Sequence, residues 1–235
     1  MITRAGRQAE VTAFVGVLPE ENTNRLGYAN IWGLDGLMAE YFGPCKALVD
    51  SAVTELPPLI KQENLTVLGQ DLEAFTTAGS IDEIVERYQG RLRGLTFKTL
   101  RHPGHLDLIR FLLEDLGFSG TRHRRQMLRN LMMNSLPQAS GDMVIISFRS
   151  RIARSSGAEP SEERQQSLQF LPGDPRLGGA RSCSNALAAA HVCAVTDIVV
   201  RGIVPGHGLF HAADFGLALL GQSPFMSRIL PGDTG

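Results

Sequence analysis

The sequence predicts an α+β fold: a mixed, largely antiparallel sheet with helices packed on one face. Strand-like segments come in pairs joined by short turns, as at residues 46–49 and 53–56, and such pairs form antiparallel hairpins. Helical segments lie between them, but strands and helices do not alternate from the start as in a doubly wound parallel sheet. The second face of such a sheet stays free, and we expect it to carry a homodimer contact.

Hydrophobic periodicity gives the order of the elements. Residues 11–18 are apolar and β-branched and end at Pro19, which predicts a buried strand. Residues 34–41 have helical spacing, and Gly43-Pro44 ends that helix. We expect a single domain over residues 1–235. The other predicted strands are 28–32, 72–76 (an edge element), 92–100, 143–148 and 168–171, and the other predicted helices are 81–88 with Ser80 as N-cap, 105–116, 124–134, 185–201 and 212–220.

Composition narrows the functional class. The chain has 235 residues, 43% of them apolar, and a net charge of -1. This is ordinary globular composition, and it disfavours disorder and nucleic-acid binding. A local basic cluster at residues 122–125 and Arg129 indicates a solvated helix face, or else a site for phosphate or an acidic partner.

The three cysteines are widely spaced and form no CxxC pair. This disfavours a disulfide framework or a zinc site and fits a reducing compartment. No apolar segment follows the N-terminal arginines, so no signal peptide is predicted and we expect a cytoplasmic protein. Residues 186–200 contain His191 and Asp197, which makes this stretch too polar and too short for a membrane span. We therefore expect no membrane partner.

One candidate site lies where a predicted strand leads into a helix, at residues 99–105 (TLRHPGH). Backbone N–H groups at a helix start and the guanidinium of Arg101 suit a carboxylate. His102 and His105 add donors or a proton shuttle. A capped helix start with a surface arginine explains the pattern equally well.

Two other features are weaker. Asp35, within Trp32-Gly33-Leu34-Asp35-Gly36, either caps a helix or meets a substrate amine. His207 and His211 are four residues apart, which suits a shared metal on a helix, but the glycines around them favour a loop with structural histidines. We predict no metal site.

No cofactor site is visible. Gly206-His207-Gly208 is followed by His211 where a dinucleotide-binding GxGxxG needs its third glycine, and a helix rather than a strand precedes it. There is no Walker A sequence either. We expect no cofactor on this chain.

Several motifs in sequence order resemble the second domain of the saccharopine dehydrogenase and lysine 6-dehydrogenase family. They are residues 14–19 (FVGVLP), 26–28 (LGY), 32–41 (WGLDGLMAEY), 48–56, 71–79 (DLEAFTTAG) and 98–105 (KTLRHPGH). The resemblance is close up to Gly117 and looser beyond it. It implies a fold like the C-terminal domain of glyceraldehyde-3-phosphate dehydrogenase.

The resemblance also implies NAD or NADP on an N-terminal Rossmann domain, in cis or in trans, and chemistry at the C–N bond of a lysine- or saccharopine-like amino acid. The second domain then supplies substrate contacts and a homodimer sheet. His102 replaces a usual tyrosine or phenylalanine. Asp35 lies near the place of a substrate-binding arginine in saccharopine-forming relatives, and so looks more like the lysine-dehydrogenase type.

These observations give a working hypothesis. Arg101 binds a substrate carboxylate and Asp35 an amine, with Thr99, His102 and His105 nearby. No catalytic residue is assigned, and the chain alone is expected to be inactive. The alternatives are a non-catalytic dimerisation or interaction module and an amino-acid sensor that keeps the fold.

Overall fold

A computed structural model describes residues 9–21, 24–31, 33–79, 81–152, 162–204, 208–211 and 214–230. Trp32, Ser80 and His207 lie outside the described residues. The strands are β1 (Ala9–Pro19), β2 (Cys45–Val49), β3 (Ala52–Leu56), β4 (Glu63–Val67), β5 (Gln70–Phe75), β6 (Gly94–Arg101), β7 (Asp142–Ile152) and β8 (Glu162–Phe170). The helices are α1 (Leu34–Phe42), α2 (Asp82–Tyr88), α3 (His105–Arg110), α4 (Arg122–Ser135), α5 (Cys183–Val200) and α6 (Leu217–Leu220).

The described strands form one sheet in the order β3-β2-β6-β1-β7-β8, with β5 also beside β6 and β4 beside β5. Only β1 and β6 run parallel; the other pairs are antiparallel. The predicted mixed, largely antiparallel sheet is confirmed. The carboxyl ends of the two parallel strands lie side by side, near Pro19 and Arg101.

Side chains of β1 alternate between two faces of the sheet. Val11 and Val17 belong to clusters formed with α2 and α5, whereas Phe14 and Leu18 point to the opposite face. The helices therefore cover one face, as predicted.

The β4–β5 hairpin curls over the other face of the sheet. Glu63 of β4 reaches Lys98 of β6 at 2.5 Å and, across β1, Arg149 of β7 at 2.8 Å. Phe14 and Leu100 are buried beneath the hairpin. The face expected to be free is thus partly covered.

Five predicted elements differ from the structure. The strand predicted over 168–171 is longer and begins earlier, at Glu162. Residues 28–31 form no strand and make only a bridge at Asn30, because the Asn24 and Asn30 side chains bond backbone carbonyls of Tyr28, Met133 and Leu136 in place of a ladder. The 72–76 segment is not an edge, since the unpredicted, largely polar β4 pairs with β5. The helix predicted over 105–116 changes to a π-helical turn at Phe111–Asp115. The last helix spans only Leu217–Leu220.

Helix α5 has the length and apolar composition of a membrane span, with a mean hydropathy of 1.5 over 18 residues. The predicted stretch 186–200 was judged too short, but the helix begins earlier, at Cys183. Length and composition are the whole of this signal, and core helices of soluble proteins pass the same test; 17% of this window is buried.

Candidate functional site

A buried arginine marks the carboxyl end of β6. Arg101 is 2% exposed, and its guanidinium donates to the Leu100 carbonyl at 3.0 Å and lies over the Tyr28 ring at 5.3 Å. Its Nη2 lies 3.5 Å from Oε2 of Glu40, on α1. A buried cation needs such a counter-charge, because an unpaired charge in the interior costs several kcal/mol. Arg101 is therefore an interior charge rather than a surface arginine.

The Arg101–Glu40 pair has unused hydrogen-bonding capacity. Nε of Arg101 and Oε2 of Glu40 are buried and have no hydrogen-bond partner among the described residues. The Glu40 side chain is 22% exposed, so it forms the side of the pair that meets solvent. Burial raises the pKa of Glu40 above its usual range, although Arg101 opposes the shift. The pair therefore leaves a donor, Nε, without a hydrogen bond among the described residues, and an acceptor, Oε2, held only by the 3.5 Å ion pair.

His105, at the start of α3, is buried beside this pair. Its Nδ1 lies 2.8 Å from the Leu26 carbonyl and its Nε2 lies 2.7 Å from the Tyr41 hydroxyl. A carbonyl only accepts, so Nδ1 carries the hydrogen and Tyr41 donates to Nε2. Burial, and then Arg101, lower the pKa of His105 to about 3. His105 is thus neutral near pH 7 and links α1 to the loop before it, an arrangement that favours a positioning role over proton transfer.

Glu73 fixes the junction between β6 and α3. It is buried opposite Arg101 in the β5–β6 register and accepts from the backbone N–H groups of Gly104 and Leu106 at 3.1 and 2.6 Å. Negative charge is favourable at a helix start. The Glu73 carboxylate thus already accepts from the backbone N–H groups that the sequence analysis assigned to a substrate carboxylate.

His102 and Thr99 flank Arg101. Nε2 of His102 is buried without a partner among the described residues, and burial followed by Arg101 lowers the pKa of this half-buried histidine. Gly27, at a φ of 63°, lets its loop approach His102, because a Cβ there would lie 2.9 Å from the His102 Cβ. Thr99 is buried and donates to the Val15 carbonyl at 3.4 Å, which ties β6 to β1.

Asp35 lies apart from this group. Its carboxylate accepts from Nε and Nη2 of Arg129, on α4, at 2.5 and 2.8 Å, and its side chain is 77% exposed. The hydrogen bond from Arg129 lowers the pKa of Asp35. Asp35 precedes Glu40 by five residues of α1, a rise of about 7.5 Å. Of the five predicted residues, the structure brings together Arg101, His102, His105 and Thr99, and pairs Asp35 with a different arginine.

Sequence reasoning missed Glu40, Tyr41 and Glu73 as members of the site. Glu73 could have been found from its place on the apolar face of residues 72–75, two positions from Phe75. Glu40 could have been found as a carboxylate beside the apolar stripe of α1, three residues after Leu37.

The other titratable candidates form no second centre among the described residues. His211 reaches Glu83 at 3.1 Å on the surface, and no group of three or more potential metal ligands occurs in the described ranges. Cys45 and Cys183 are buried, and burial raises the pKa of each thiol to about 11. Such thiols are poor nucleophiles.

This chain resembles known proteins in both sequence and fold. Residues 2–228 match the family described as the saccharopine dehydrogenase C-terminal domain. The fold resembles apo saccharopine dehydrogenase (L-Glu forming) from Saccharomyces cerevisiae, with a TM-score of 0.67 and 16% identity over 97% of this chain and 66% of that chain. This chain thus spans just under two thirds of that protein's length. No curated protein sequence matches. The chain belongs to the saccharopine dehydrogenase C-terminal domain family.

Proposed function

We propose that this domain binds the amino-acid substrate of an NAD(P)-dependent oxidoreductase that acts on the C–N bond of a lysine- or saccharopine-like compound. The buried Arg101–Glu40 pair carries the proposal, because it leaves one donor and one acceptor without partners inside a family associated with an oxidoreductase. The same geometry serves an α-amino acid, with its carboxylate on Arg101 and its ammonium on Glu40.

The Glu40 side chain is more exposed than Arg101, so we propose that a ligand reaches Arg101 past Glu40 after that side chain rotates outward. In this proposal His102 adds Nε2 as a further polar contact, whereas Thr99 and His105 hold the strand and loop in place. Asp35 can meet a substrate amine only after its carboxylate releases Arg129. The proposed role of Asp35 is therefore weaker than that of Arg101.

We propose that NAD or NADP is held by a Rossmann domain in cis or in trans. The described fold has one parallel strand pair, β1 and β6, and no strand–GxGxxG–helix unit among its described residues, so the described residues do not fit a dinucleotide. The nicotinamide of such a domain would exchange the hydride with the substrate carbon. The residues of this chain bind the amino-acid group and exclude water around it.

Calorimetric titration with lysine and with saccharopine tests the substrate proposal. Glu40→Gln keeps the shape of the side chain and removes its charge, so we expect the dissociation constant to rise by about tenfold or more. Glu114→Gln, at an exposed residue of the π-helical turn, is the matched control and should leave affinity unchanged. Equal affinities for wild type and Glu40→Gln, or no binding of either compound, would contradict the proposal.

A further inference from the structure

A chain of hydrogen bonds runs from the hydroxyl of Tyr41 to a loop carbonyl, and it has a fixed direction. The ring of His105 lies between them, with Nε2 2.7 Å from the Tyr41 hydroxyl and Nδ1 2.8 Å from the Leu26 carbonyl. The carbonyl only accepts, so in the neutral ring Nδ1 carries the hydrogen and Nε2 accepts the hydrogen of Tyr41. The lone pairs of the Tyr41 oxygen are therefore left for a different donor.

Arg101 is the donor that approaches the Tyr41 oxygen. Tyr41 follows Glu40 in α1, is 2% exposed, and is hydrogen-bonded by the Arg101 side chain. Burial raises the pKa of Tyr41 above its usual range, while the charge of Arg101 and its hydrogen bond oppose that rise. A hydroxyl that gives its hydrogen to one partner becomes a better acceptor for the next. Arg101, Tyr41 and His105 thus form one oriented series of donors and acceptors.

These contacts leave one edge of the Arg101 guanidinium open. Nη1 donates to the Leu100 carbonyl at 3.0 Å. Nε has no hydrogen-bond partner among the described residues, and Nη2 lies 3.5 Å from Oε2 of Glu40. Nε and Nη2 form the edge by which Arg129 binds both oxygens of Asp35, at 2.5 and 2.8 Å. The same edge of Arg101 is therefore shaped for a carboxylate with two oxygens side by side.

We propose that Tyr41, held by His105, is a positioning residue that fixes the Arg101 guanidinium with its Nε–Nη2 edge ready for both oxygens of a ligand carboxylate. An arginine fork that is already oriented loses less conformational freedom when its ligand binds. The identity of the ligand rests on the proposed function, whereas the orientation of Arg101 is a property of the free chain. A carboxamide offers one acceptor where a carboxylate offers two, so it can use only one of the two donors.

His105 also holds the second element that borders Arg101. Its ring lies 5.8 Å from the ring of Tyr28, and the Tyr28 ring lies 5.3 Å from the Arg101 guanidinium. A leucine at position 105 would fill space but remove both hydrogen bonds of the chain. A glutamine would keep one donor and one acceptor. Rescue by glutamine, but not by leucine, therefore separates an oriented hydrogen-bond chain from simple packing.

NMR of the arginine side chains in the unliganded whole chain tests the orientation. A fixed guanidinium gives separate signals for its two terminal nitrogens, whereas rotation about the Nε–Cζ bond averages them. We expect separate Arg101 signals in the wild type and in His105→Gln, and averaged signals in Tyr41→Phe and His105→Leu. Tyr88→Phe makes the same change on α2 and is the matched control, which should keep the signals separate. Averaged signals in the wild type, or separate signals in both Tyr41→Phe and His105→Leu, overturn the proposal.

Calorimetry with lysine and lysinamide tests the role in binding, because both compounds keep the ammonium groups and only lysine has the carboxylate. The wild type should bind lysine at least about tenfold more tightly than lysinamide, and Tyr41→Phe should remove most of that preference. Tyr88→Phe should retain it. A preference that survives in Tyr41→Phe contradicts the positioning role. A wild type that binds neither compound contradicts the proposed function, and the NMR comparison of the free chain then decides the orientation of Arg101 by itself.

Discussion

At the scale of single residues, the Arg101–Glu40 pair explains why an arginine can be buried at the end of β6. The guanidinium is always charged, so Glu40 and the Leu100 carbonyl offset part of its desolvation. Neither partner uses all of its hydrogen-bonding groups, which sets this pair apart from Arg149 and Glu63, where two hydrogen bonds of 2.9 and 2.8 Å form. We therefore propose the incomplete pair, rather than Arg149 and Glu63, as the ligand site.

Stability measurements can separate the two partners of the pair. Arg101→Met alone leaves Glu40 facing a buried apolar side chain, and we expect it to lower the free energy of unfolding in urea by about 3–5 kcal/mol. Adding Glu40→Leu should recover most of that loss, since an apolar pair of similar volume replaces the charged one. A double variant no more stable than Arg101→Met alone would show that the two side chains do not compensate each other.

The lowered pKa of His105 predicts that the stability of the fold depends on pH. Its pKa is about 3 in the folded protein, against ~6.5 in the unfolded chain. Its contribution is complete above pH ~6.5 and is lost as the pH falls toward 3, by about 1.4 kcal/mol per pH unit. The difference in unfolding free energy between wild type and His105→Asn should therefore shrink over this range. A difference that is constant from pH 7 to pH 4 would mean that His105 is not held neutral by the fold.

At the scale of elements, the close contact of the parallel strands β1 and β6 depends on one glycine. A Cβ on Gly16 would lie 2.8 Å from the Leu100 Cβ, next to Arg101. Gly16→Ala should cost about 1–3 kcal/mol through overpacking. Gly120→Ala is the control, because its nearest new contact is 3.4 Å away in an exposed loop. Thermal unfolding measures both, and equal melting temperatures would contradict the predicted strand contact.

The sequence predicted those elements whose periodicity is set by a buried face. The alternation in β1 and the helical spacing in α1 follow from what each buries, so both were placed within about two residues. β4 was missed because Glu63 is a charged residue on the face that Leu65 and Val67 bury, and the partners of Glu63, Lys98 and Arg149, are distant in sequence. Residues 28–32 were predicted as a strand, whereas the side-chain hydrogen bonds of Asn24 and Asn30 hold residues 28–31 outside the sheet.

The candidate site was predictable only where it is local. Arg101, His102 and His105 are consecutive or nearly so in one motif, and they do lie together. Glu40 joins them only because α1 packs on β6. The spacing of residues along the sequence does not predict this packing. Arg129 likewise pairs with Asp35 across 94 residues of sequence.

At the scale of the whole molecule, the sheet organises two surfaces with different properties. The Arg101–Glu40 pair lies where the carboxyl ends of β1 and β6 meet, the place where open sheets commonly bind ligands. The uncharged face of α5 belongs to the C-terminal part of the helical layer, which packs on β7 and β8. The two surfaces differ in charge and lie on different parts of the sheet, so a test at the Arg101–Glu40 pair does not depend on α5.

The most direct test of the amino-acid site follows the Nε–H resonance of Arg101 by ¹H–¹⁵N NMR during titration with lysine or saccharopine. The buried Nε–H has no hydrogen-bond partner among the described residues, so it should shift strongly as it gains a carboxylate acceptor and should stop shifting at saturation. Exposed arginine side chains such as Arg122 should shift little. An unchanged Arg101 resonance at saturating ligand, with shifts confined to other residues, would contradict the account.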